Sequence, residues 1–191
     1  MALSSLSIAH GDHKQLVGGV ESIHIWEQVY SGWAATDTAT ATTIASGGVT
    51  GAIPTTAGNV SDIKFQVGTA KVDFSTAQEK GLALTTISIE GYVPNLSKEN
   101  LAVLQEMAGK ALMGCVHFYN DTDADAQRKL LVGWDNVLGT KEASGDYIHS
   151  KFALFLDSVE ASSGAAITDQ HGATLKFTAV QGETPYEYIH S

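Results

Sequence analysis

The residues that could do chemistry in this chain are few, and each meets an obstacle in its own surroundings. Asn120-Asp121-Thr122-Asp123-Ala124-Asp125 places carboxylates on alternate residues, a spacing that can converge on a hard cation such as calcium. A calcium loop also needs Gly at its sharp turn and a bidentate Glu at its end, where this chain has Ala126 and Val132. The segment therefore reads as a solvated hairpin tip. His10-Gly11-Asp12-His13 offers two imidazoles and a carboxylate to zinc or copper, but no third and fourth ligand lies nearby in sequence. His24, His117 and His149 fall inside strand-like runs, where polar-face or hydrogen-bonded core positions account for them. His171 belongs to a tight turn, Asp169-Gln170-His171-Gly172. The single cysteine, Cys115, lies in an apolar run with Leu112, Met113, Val116 and Phe118 and reads as a small core residue, so no disulfide can form within one chain.

No nucleophile elbow, phosphate loop, dinucleotide fingerprint or zinc-protease helix is present. Gly18-Gly19 and Gly47-Gly48 are isolated pairs with no helix after them, so they signal turns. The expectation is a protein without catalytic residues, metal or cofactor. Trp26, Trp33 and Trp134, with Tyr30, Tyr186 and Tyr188, could stack on sugars, as in the many lectins built on β-sandwiches. Aromatics are equally expected in cores and subunit interfaces.

The formal charge is −10, from 21 acidic and 11 basic residues, and Arg128 is the only arginine. Phosphate recognition relies on clustered Lys and Arg, so tight binding to DNA, RNA or an anionic membrane is not expected. An acidic wall has another use near DNA: it repels phosphate and lets a duplex slide without sticking. No stretch approaches the roughly 20 apolar residues of a membrane span, and Met1 to Leu6 lacks a signal-peptide pattern, which makes the cytoplasm of the producing cell the expected place of assembly.

The elements that must position these residues are mainly strands. Period-two alternation is clearest in Asp62-Ile63-Lys64-Phe65-Gln66-Val67, which predicts an outer antiparallel strand with Ile63, Phe65 and Val67 on one face. Further strands are expected at 20–30, 71–75, 82–93, 112–119, 129–135, 147–157 and 173–180, separated by turn residues. Leu112 to Tyr119 and Phe152 to Leu156 are apolar on both faces, which predicts central strands covered on each side. One helix, about 98–108, is expected to supply that cover, with Leu101, Leu104, Ala108 and Ala111 on one stripe, Ser97 as its cap and Gly109-Lys110 as its stop. The fold class is then an antiparallel two-sheet β-sandwich or barrel with one inserted helix, a single domain over 1–191 that can bury roughly 70% of its unfolded surface.

Residues 34–58 break the rhythm, being rich in Thr, Ala and Gly with Asp37 the only charge. A long uncharged segment with β-branched residues predicts an extended arm or hairpin that orders against a neighbouring copy, with a floppy surface loop as the alternative. Trp33, Thr43, Ile44, Val49 and Ile53 are its assembly candidates. Residues 1–16 and the closing Tyr186 and Tyr188 are secondary ones.

The order of several motifs adds a resemblance. Gly18-Gly19-Val20-Glu21-Ser22-Ile23-His24-Ile25, then Val93-Pro94-Asn95-Leu96-Ser97-Lys98-Glu99-Asn100, then Leu131-Val132-Gly133-Trp134, and finally Thr168-Asp169-Gln170-His171-Gly172-Ala173-Thr174-Leu175-Lys176-Phe177, resemble structural proteins of tailed bacteriophages, loosely over residues 16–189. The resemblance implies a virion protein of the tail-tube type: two sheets and a flanking helix, assembled as stacked and commonly hexameric rings around a DNA channel. Its implied partners are copies of itself, other virion proteins and passing DNA that is not tightly held. A capsid decoration protein, a head-tail connector or a tail terminator is the structural alternative, and a carbohydrate-binding module the alternative of a different class.

Overall fold

The computed structural model describes residues 19–27, 43–45, 48–50, 60–79, 82–95, 97–119, 129–133, 153–162, 171–182 and 186–188. Alternating apolar and polar side chains make most of these residues strands, and the strands sort into two sheets. One has the order β2 (Thr43–Ala45), β3 (Gly48–Thr50), β11 (Tyr186–Tyr188), β8 (Lys129–Val132), β7 (Leu112–Phe118), β1 (Val20–Glu27), β4 (Val60–Lys64). The other has the order β5 (Lys71–Glu79), β6 (Leu82–Pro94), β10 (Gly172–Gln181), β9 (Phe155–Ser162). Every pairing is antiparallel except β3 with β11. The chain is a two-sheet β-sandwich with one helix, α1 (Lys98–Met107).

The core lies between the sheets. Ile23 and Ile25 of β1, Val116 of β7 and Val132 of β8 meet Ile87 and Ile89 of β6 and Leu175 and Phe177 of β10. The connection from β4 to β5 stitches the two layers together at one corner. Phe65 N–H donates to Glu21 O (3.0 Å), Val20 N–H to Ala70 O (3.2 Å), and Gln66 N–H to Tyr92 O (2.8 Å).

The helix forms where the sequence places it. Ser97 Oγ accepts from Asn100 N–H at 3.2 Å, and Gly109 closes the last turn at φ +79°, a conformation that costs a residue without Cβ little. Its role differs from the expectation. Leu104 and Met107 join the core between the sheets, while Ala108 is exposed, so the buried stripe of α1 meets that core and not the far side of β7. Helical periodicity reports a stripe, and it does not say which face of which sheet the stripe meets.

Two further expectations are corrected. Val67 does not continue the face of Ile63 and Phe65, and it is 78% exposed. The strand ends at Lys64 and the chain turns, with Thr69 N–H donating to Gln66 O. Of the run 152–156, Phe152 lies outside the described residues, and 153–156 does not form a central strand. Leu154 makes an isolated bridge to Leu112, with N–H to O contacts of 2.8 and 2.9 Å, and β9 begins only at Phe155, on the edge of the four-stranded sheet. That run is apolar because the chain crosses between the layers there, burying Ala153 and Leu154. Leu112–Phe118, by contrast, is central and buried over most of its length.

Candidate assembly surface

The four-stranded sheet has β5 and β9 as its two long edges, and among the described residues nothing pairs with their outer sides. Its inward positions, Ile87, Ile89, Ala173, Leu175, Phe177 and Ala179, are buried, so alternation sends Thr86, Ser88, Glu90, Thr174, Lys176 and Thr178 to the outer face. That face is hydroxyl-rich with charges of both signs. Thr178 Oγ1 donates to Asp157, and Lys71 Nζ lies 2.8 Å from Asp73 on the β5 edge. The Asp73 hydrogen bond, helped by its charge, raises the Lys71 pKa above the ordinary lysine value. Both groups are well exposed, so the pair contributes little to stability. Phe74, in register with Ile87, is 49% exposed on the core-facing side of this edge. Phe74 is thus a large apolar side chain half out of water on a strand whose outer side nothing pairs with among the described residues.

The outer face of the seven-stranded sheet is unlike it. Trp26, Met113, Cys115 and Leu131 are buried there, outside the inter-sheet core, in the positions that alternate with Ile25, Val116 and Val132. Register brings His24 of β1 beside Cys115 of β7 and Asp62 of β4, and Ser22 beside His117. The two imidazoles stack at 4.5 Å, and His24 Nε2 is 3.5 Å from Asp62 Oδ1. No three His, Cys, Asp or Glu among the described residues are gathered as a metal site.

Several residues singled out in the sequence come together on this sheet. Thr43 and Ile44 stand in β2 opposite Thr50 and Val49 of β3, and Val49 stands opposite Tyr188 of β11. Tyr186 stands opposite Leu131, and Tyr188 opposite Lys129. The hairpin within 34–58 thus continues the chain's own sheet through β11. Trp33, Ile53, residues 1–16, the acidic tip 120–125, the His10–His13 pair and His149 lie outside the described residues.

Sequence reasoning missed the β5 edge with Phe74 and the pairing of His24 with His117. Phe74 follows an alternating run, Lys71-Val72-Asp73-Phe74, whose edge position no local pattern reveals. A cleft of about 470 Å³ also opens between β4 and α1, lined by Asp62, Ile63, Asn100, Val103, Leu104 and Met107 among others. Polar residues such as Ser61, Asp62 and Asn100 share its lining with apolar ones such as Ile63, Leu104 and Met107.

Compared with protein-family models, with curated proteins and with solved structures, the chain gives no match. Its function has to be argued from its own geometry.

Proposed function

We propose that this protein is a virion structural subunit of the tail-tube type, assembling as stacked, hexameric rings around a channel through which DNA passes. The observation that carries the reading is the four-stranded sheet: two long edges, unpaired on their outer sides among the described residues, flank a polar, hydroxyl-rich outer face. Strand directions alternate across β5, β6, β10 and β9, so β5 and β9 run opposite ways. A rotated copy can then bring its β9 beside β5 and keep the pairing antiparallel around a closed ring, which removes both edges. Phe74 would be covered at that joint. The outer face would line the channel, where hydroxyls, mixed charge and a net-acidic chain without clustered arginine suit a duplex that must slide.

The mechanism is passive. Affinity between copies builds the conduit, other virion proteins cap it, and no catalytic group or cofactor is required. Residues 34–58 contribute β2 and β3, the last strands of the seven-stranded sheet, and are the proposed stacking element.

Negative-stain electron microscopy across a concentration series, with mass in solution measured on the same samples, tests this. Hollow rods or stacked rings are expected from the intact chain, and folded protein without rods from Phe74→Lys and from a variant lacking 34–58. Closed rings that never stack would move the assignment to a connector, terminator or capsid protein. A strict monomer that binds glycans on an array would move it to a carbohydrate-binding module.

A further inference from the structure

The seven-stranded sheet ends in β2 on one side and β4 on the other, and β4, with nothing paired to its outer side among the described residues, carries a pattern that the ring does not use. Phe65 N–H points toward β1, donating to Glu21 O, and antiparallel strands alternate the direction of their backbone groups. Ile63 therefore shares that direction, and Asp62 and Lys64 turn their N–H and C=O away from the sheet. Both side chains are exposed; Asp62 is 42% so. In the sheet Lys64 stands opposite Ser22, and among the described residues it has no ion-pair partner.

We infer that β4 is a self-complementary edge at which two copies of this chain join antiparallel about a twofold axis through Ile63. In that register Asp62 of each copy faces Lys64 of the other, and each such pair exchanges both backbone hydrogen bonds. The neighbouring in-phase registers set Asp62 against Asp62, or Lys64 against Lys64, and like charges directly opposite are unfavourable. A slip of one residue turns the charged side chains to the apolar face. Charged edge residues ordinarily keep other strands away; here the order Asp-Ile-Lys admits one partner in one register.

The inner side of the joint is also prepared. The cleft between β4 and α1 runs along Ser61 to Lys64, and Val103, 41% exposed, stands on its rim. The Ile63 side chain of the second copy, on the core-facing side of the extended sheet, has apolar surface to meet there. This contact needs neither β5 nor β9, so it stands apart from ring closure.

Charge reversal at the two positions tests it by sedimentation equilibrium. Asp62→Lys and Lys64→Asp each convert both attractive pairs into repulsive ones, and each is expected to weaken this pairing by about tenfold or more. The double variant restores the self-complementary order and should pair like the original chain. An equimolar mixture of the two single variants should form a heterodimer. Oxidation of Ile63→Cys should give a covalent dimer, because residues facing each other across a non-hydrogen-bonded pair stand about 4.5 Å apart at Cα, within disulfide reach. Single variants that pair as tightly as the original chain, or no cross-link at position 63, overturn the inference. Rods without that cross-link would defeat this pairing alone; cross-linked dimers that never form rods would defeat the tube reading alone.

Discussion

Replacing Gly133 by Ala should be one of the more damaging small changes in the chain, and the structure gives its size. Gly133 has φ +83°, and an added Cβ would lie 2.6 Å from Leu112 O and 2.7 Å from Leu154 N. Those two atoms are the acceptor and donor of the 2.8 Å hydrogen bond that ties the start of β7 to the chain entering β9. The methyl group wedges into the link between the two sheets. Left-handed backbone costs an L-residue about 1–2 kcal/mol, and a buried backbone pair forced apart costs about 1–3 kcal/mol more. The sum, roughly 2–5 kcal/mol, corresponds to a fall in Tm of about 4–20 °C for a domain of this size. Gly109→Ala is the matched control, with φ +79° and nothing within 4 Å of the added Cβ. It carries only the conformational cost, about 1–2 kcal/mol. Any gain from a less flexible unfolded chain is shared by both variants and cancels in the comparison. Thermal unfolding followed by circular dichroism, at one protein concentration, reads the difference directly. Equal losses in the two variants would refute the account of the inter-sheet link.

Cys115 is buried at the centre of the seven-stranded sheet, so a thiol reagent should leave it unmodified in native protein and label it fully in denaturant. Rapid native labelling would mean that the outer face of that sheet is open. The Tyr119 hydroxyl is enclosed without a hydrogen-bond partner among the described residues, and burial first, then the Glu21 charge, raises its pKa above the ordinary 10.0. A raised folded-state pKa means the native state holds its proton more tightly. The contribution to stability is complete below pH 10.0 and is lost as pH climbs through the higher folded value. Absorbance titration should therefore show a late-ionising tyrosine that Tyr119→Phe removes, and a Tyr119→Phe variant that keeps it would assign the shift elsewhere.

The amino-acid sequence alone determined the class of the fold. Alternation from Asp62 to Phe65 commits that segment to a strand, because only a period of two sorts its side chains into faces, and the continuous apolar run from Leu112 marks a strand covered on both sides. The helix was equally local: Ser97, the spaced leucines and Gly109 each act within a turn of where they stand. Burial of Cys115 followed from its neighbours. What no local pattern contains is which strand neighbours which. The apolar run 152–156 gave the signal of a central strand, yet Ala153 and Leu154 belong to a crossing between layers and Phe155 and Leu156 to the edge strand β9. His24 and His117 meet only because β1 and β7 pair in one register, and Thr43, Ile44, Val49 and Tyr188 align only because β11 returns to the sheet beside β3. Edges, too, belong to the tertiary structure. A strand is an edge when no other segment pairs with its outward backbone groups, a condition settled by long-range pairing, and it is these edges, β4, β5 and β9, on which the proposed associations depend.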